Sequence, residues 1–262
     1  MHRLAKILAL AWTSMFLSAQ ALADEDYCSY YKTGDDIVLV LIDLTSRPEG
    51  VFQNSLEQAA AWLGKNVAPG QRVVIESIVD DSLRRDKLFN ECRPGKKMGL
   101  FDRPLNTARI EHDEKDFSPL LRDAVLNAWR KTKYGWTKNN NIRKSVISGT
   151  ISAASQNLPK GSILSLVLVS DLLEKDDLKL PPEIAMGSFE IDEAMAKIRH
   201  NSGFGNIEGT NVQIYGFGFS DFEYDGVTKM RKPLPPETRK NLEVFWRRYF
   251  AQAKAKSVFI EQ

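Results

Sequence analysis

Cysteine is scarce in this chain: 262 residues hold two, Cys28 and Cys92, and no Cys-x-x-Cys arrangement. That argues against a structural zinc site and against dithiol redox catalysis. Neither sign of charge is in excess, with 36 Lys and Arg against 34 Asp and Glu, so the chain lacks the basic footprint of a nucleic-acid binder. Three histidines are present, and His112 and His200 sit in polar segments that suit solvated side chains. There is no GxxxxGK phosphate loop and no nucleophile elbow. Internal repeats and low-complexity tracts are also missing.

The first 23 residues do have a pattern of their own. His2, Arg3 and Lys6 form a basic start, Ile7–Leu17 an apolar stretch, and Ala21-Leu22-Ala23 a small-x-small cleavage site. This is the layout of a secretory signal, and its apolar core is short of the ~20 residues needed to span a bilayer. The reading divides the chain into 1–23, a signal, and 24–262, one exported domain, periplasmic or secreted. Removing the signal takes two cations and no anion with it, which leaves a mature chain of balanced charge. In an oxidising compartment an even pair of cysteines predicts a disulfide between Cys28 and Cys92. That bond would tie the segment before the first strand to the loop after the second.

The chain is organised around Asp36–Pro48. Ile37 to Ile42 is a run of six apolar residues, rich in β-branched side chains, that reads as a strand buried on both faces. Phe52, Leu56, Ala59, Ala60 and Leu63 then recur at helical spacing. Arg72–Val79 reads as a second strand, and 80–117 as an irregular stretch with a short edge strand. Ser118-Pro119 has the form of an N-cap and first residue of a helix. A further helix carries Ile147, Thr150, Ile151, Ala154 and Leu158, and its small residues would allow close packing on the sheet. Ile163–Val169, apolar but for Ser165, reads as a second central strand. A helix over Phe189–His200, a strand over Val212–Phe217, an aromatic-rich helix from Pro235-Pro236-Glu237 and a short strand at Ser257–Ile260 complete the order. Such alternation predicts an α/β, doubly wound fold, with a mainly parallel central sheet and helices on both faces.

Both central strands end in acidic residues, Asp43 and Asp171, accompanied by Thr45, Ser46 and Ser170. Ligands of open α/β sheets sit beyond the carboxyl ends of the strands, and oxygen donors of this kind suit a hard divalent cation. The plainer alternative is that Asp43 and Ser46 cap the following helix.

At this point the chain resembles the von Willebrand factor type A-like domains. Their metal-ion-dependent adhesion site begins with Asp-x-Ser/Thr-x-Ser after the first strand, then adds a hydroxyl from a second loop and an Asp after the fourth strand. Asp43-Leu44-Thr45 matches the first two ligands, and Asp171 matches the last. Spacing selects Ser145 for the second-loop hydroxyl, with Thr150 and Thr137 as rivals. The resemblance covers roughly Asp36 to Ile260. It implies a protein-binding module that uses Mg²⁺ (or Mn²⁺ or Ca²⁺) held by Asp43, Thr45, Ser145 and Asp171, with a partner's acidic side chain completing the coordination. The pattern departs at Arg47, where the family has Ser. A guanidinium only donates, so the departure leaves three outcomes: a metal with more water, a weakly bound metal, or a lost one, with Arg47 pairing with Asp43 or Asp171 in its place.

An enzymatic alternative exists. A haloacid-dehalogenase-like phosphatase also places a nucleophilic Asp at the end of its first strand, the position of Asp43, and uses Mg²⁺. Its general acid is a second Asp two residues later, where this chain has Thr45. A hydroxyl is a poor proton shuttle at neutral pH, so the residues favour the binding module over the enzyme.

Overall fold

The computed structural model of the protein describes residues 28, 36–45, 50–79, 85–95, 103–131, 145–174, 190–224 and 231–261. The proposed signal, residues 1–23, lies outside the described residues, as do Ser46, Arg47 and Thr137.

Strand β1, Ile37–Asp43, is buried along its whole length. It pairs in parallel with β2, Arg72–Ile78, on one side and with β4, Ile163–Val169, on the other. Beyond β4 come β5, Asn211–Tyr215, and β8, Ser257–Ile260, both parallel. At the opposite edge β3, Lys87–Cys92, runs antiparallel to β2. The order is therefore β3-β2-β1-β4-β5-β8, a mainly parallel six-stranded sheet. A separate hairpin is made of β6, Phe219–Tyr224, and β7, Arg231–Pro233.

Alternation along β1 explains the two layers, because successive side chains leave a strand on opposite faces. Val38, Val40 and Ile42 pack with residues of α1, Val51–Asn66, and α2, Arg103–Leu126. After α2 comes one short turn, α3, Ala128–Lys131. Ile37, Leu39 and Leu41 face the other layer, formed by α4, Ile147–Gln156, α5, Ile191–Asn201, and α6, Pro236–Gln252. Helices thus cover both faces, as a buried parallel sheet requires. Phe245, Trp246, Tyr249 and Phe250 of α6 are all fully buried and meet one another mostly edge to face. These aromatics form core, each worth roughly 1.5–3 kcal/mol in burial.

Several features differ from the sequence reading. Helix α2 starts at Arg103, and Pro119 lies inside it. Ser118 does not cap a helix start: its hydroxyl reaches back to Glu114 Oε1 at 3.4 Å. Phe117 is buried against Phe89 of β3, so tertiary packing holds the turn that the proline weakens. Strand β5 stops at Tyr215 because Gly216 takes φ 87°, a left-handed conformation. The β6–β7 hairpin was not expected at all.

Cys28 and Cys92 form a disulfide, with Cα atoms 4.8 Å apart. Cys92 is the last residue of edge strand β3, where the sequence had suggested a loop after the second strand. Next to it, Arg93 donates to the carbonyl of Val67 at the end of α1 (2.6 Å) and pairs with Glu114 of α2. Among the described residues, no helix is long and apolar enough to cross a membrane.

Candidate functional site

The chain leaves β1 toward β2 on one side of the sheet, and β4 adjoins β1 on the other. The crevice at the carboxyl ends of β1 and β4 is thus the switch point of the sheet, the usual ligand position in open α/β folds. Ile42 pairs with Val169, which brings the next residues, Asp43 and Ser170, side by side.

Asp43 is fully buried, and both of its carboxylate oxygens accept hydrogen bonds. Oδ1 accepts from the Thr45 backbone N–H at 3.0 Å and from the Thr45 hydroxyl at 2.6 Å. Oδ2 accepts from the Ser145 hydroxyl and from the Ser170 hydroxyl, each at 2.9 Å. Three segments far apart in sequence therefore meet on one carboxylate. Ser145 lies two residues before α4, whose face lies over the side of β1 that Asp43 shares with Leu39 and Leu41.

The segment after β4 is tightly bonded. Ser170 Oγ accepts from Leu172 N at 3.0 Å, and Asp171 Oδ1 accepts from Leu173 N at 2.9 Å. The Asp171 carbonyl accepts from Gly218 N, and the Leu172 carbonyl from Trp246 Nε1 at 2.9 Å. Leu172 itself sits at φ 60°, which non-glycine residues rarely adopt. Glu174, also fully buried, accepts from the backbone N–H and the hydroxyl of Ser148.

Burial raises the Asp43 carboxyl above the ordinary carboxylate range, and the nearby charge of Asp171 raises it further. The hydrogen bonds from Thr45 and Ser145 act in the opposite direction. A buried carboxylate whose ionisation is disfavoured by burial and by a neighbouring carboxylate is an arrangement that a bound cation would offset. The donors are all oxygen: two carboxylates with the hydroxyls of Thr45, Ser145 and Ser170. Among the described residues no group of three His, Cys, Asp or Glu is placed to hold a metal. Oxygen donors are the kind that a hard cation takes and that a soft or borderline one does not prefer.

Of the hydroxyls considered from sequence, Thr150 is turned to the carbonyl of Val146 within α4. Ser170 was noted only as a neighbour of Asp171, and it proves to be a direct partner of Asp43. Glu174 was not singled out, and its partner Ser148 lies 26 positions upstream. His112 is exposed beside Asp113 and Asp116 on α2, and His200 is exposed at the end of α5. Neither histidine takes part in the Asp43 network.

No protein-family model matches the sequence, and no curated protein matches it. Among solved structures, the crystal structure of a conserved hypothetical protein BatB from Bacteroides thetaiotaomicron is similar over 86% of this chain and 91% of that one. Its identity is 9% and its TM-score 0.37. Similarity of that degree carries no argument, so the fold rests on the strand order and the site on its residues.

Proposed function

We propose that this chain is an exported von Willebrand factor type A-like module that binds a protein partner through a divalent cation at the ends of β1 and β4. One observation carries the reading: at the switch point of the sheet, Asp43 gathers hydroxyls from three separate segments and faces a second carboxylate, Asp171. Asp43, Thr45, Ser145 and Asp171 are the residues that would hold Mg²⁺ or Mn²⁺, with Ser170 orienting Asp43. The cation would offer a partner a coordination position otherwise filled by water, and an acidic side chain is the group it suits. The disulfide supports export, because such bonds persist in oxidising compartments.

Calorimetric titration with Mg²⁺ and Mn²⁺ tests this on wild type, Asp171→Asn and Arg47→Ser. Wild type should bind, Asp171→Asn should bind at least about tenfold more weakly, and Arg47→Ser more tightly, since a nearby positive charge is lost and a hydroxyl gained. Capture of a partner should fall in chelator. If wild type and Arg47→Ser both take up neither ion, the cation reading is wrong. If only Arg47→Ser binds, Arg47 has replaced the metal and any partner is recognised without one.

A further inference from the structure

Glu174 is a fully buried carboxylate that takes no part in the Asp43 cluster. Burying a carboxylate is costly unless its oxygens are paired. Both are: Oε2 accepts from the Ser148 backbone N–H at 2.9 Å and Oε1 from the Ser148 hydroxyl at 2.8 Å. Ser148 lies in the first turn of α4, where backbone N–H groups lack partners within the helix. The same residue is held from its other side, where its carbonyl accepts from the Tyr249 hydroxyl at 3.4 Å.

The position of this link in the fold carries the inference. Glu174 stands three residues after Asp171, and Ser148 stands three residues after Ser145. The two bonds thus join the segments that deliver Asp171 and Ser145 to Asp43. They add to the link already made through Asp43 Oδ2, which accepts from both Ser145 and Ser170. A bond to one oxygen would allow pivoting, whereas two bonds to two oxygens define an orientation.

We infer that Glu174 is a positioning residue: it staples the segment after β4 to the start of α4 and so presets the Asp43–Ser145–Asp171 constellation before any ligand arrives. The consequence for cation affinity rests on the function proposed above; the staple itself does not.

The test uses the full chain. Glu174→Leu keeps most of the volume and removes both acceptors. Glu174→Gln is the conservative control, because its carbonyl accepts from Ser148 N–H while its amide donates to the reoriented hydroxyl. Thr210→Val removes a buried hydrogen bond of similar kind, to the Ile163 carbonyl at the far end of β4. Amide hydrogen exchange is read in chelator, and Mg²⁺ affinity by calorimetry. In Glu174→Leu, exchange at Ser148 and within 147–151 and 171–174 should rise about tenfold or more while β1 and β2 keep their protection. Mg²⁺ affinity should fall about 10–100-fold, and Glu174→Gln should restore both. Should Glu174→Leu fail to fold, Ser148→Ala removes one of the two bonds and should give a smaller local effect. The inference is overturned if exchange in those segments is unchanged, or rises evenly across the sheet as in Thr210→Val. If wild type takes up no cation, the proposed function fails and the exchange pattern alone decides the staple.

Discussion

The indole N–H of Trp246, in the last helix, donates to the carbonyl of Leu172, the residue after Asp171, at 2.9 Å. Leu172 holds a left-handed backbone with a fully buried side chain, a conformation that costs roughly 1–2 kcal/mol and persists only where surroundings enforce it. Trp246→Phe keeps the ring in the core and removes the donor. It should lower stability by about 1–3 kcal/mol, the cost of leaving a buried carbonyl short of its partner. Urea unfolding of the two proteins measures this, and an unchanged midpoint would mean that water replaces the indole.

Asp171→Asn should have opposite effects with and without metal. The amide keeps an oxygen for the Leu173 N–H and removes a charge that disfavours ionised Asp43. In chelator the variant should therefore be the more stable protein, by on the order of 1 kcal/mol, or about 2–4 °C in melting temperature for a domain of this size. In excess Mg²⁺ the ranking should invert, because wild type gains more from binding than the variant does. Thermal melts in both buffers check the crossing.

Reduction of the Cys28–Cys92 bond should cost about 4 kcal/mol on the chain-entropy account of a loop this long. Urea midpoints with and without reductant, beside Cys28→Ser, provide the measurement. A loss well under 1 kcal/mol would show that the segment is already fixed by other contacts.

Alkaline pH should destabilise the fold in a definite window. Burial pushes the Tyr249 hydroxyl well up from the usual tyrosine value, and burial together with the charge of Glu261 pushes Tyr215 up to about 12. Unfolded tyrosines ionise near pH 10, so between about pH 10 and 12 the folded chain binds more protons than the unfolded one. Stability then falls as pH rises through that window. Tyr249→Phe should lose less stability than wild type between pH 9 and pH 11, measured by urea unfolding at both.

Much of the fold can be read from local pattern. Ile37–Ile42 is apolar throughout and Ile163–Val169 is apolar but for Ser165, because both faces of the central sheet are covered, and their acidic ends place Asp43 and Asp171 at one rim of the sheet. Ser145 was reachable because it precedes an apolar helical stripe. Helix α2 was misread at Pro119: its first half is mostly polar, and Phe117 within it packs on a strand distant in sequence. Glu174 was illegible for a similar reason. An acid at a strand end looks solvated until the fold brings Ser148 to it, and nothing in the spacing of the two residues announces the pair. Leu172 likewise looks like ordinary core, because backbone conformation leaves no mark on a leucine.

The central place of β1 has a consequence for a chain that is completed from its N-terminus. The first 92 residues already contain β1, β2, β3 and both cysteines, so half of the sheet and its covalent tie can form early. Until Ile163–Val169 follows, however, the other side of β1 has no strand to pair with. That side is a row of unpaired backbone groups on a strand with six consecutive apolar residues, the kind of edge that recruits other chains. The period between closure of the disulfide and arrival of β4 is thus when this protein is most open to aggregation, and when a holding factor in its compartment would matter most.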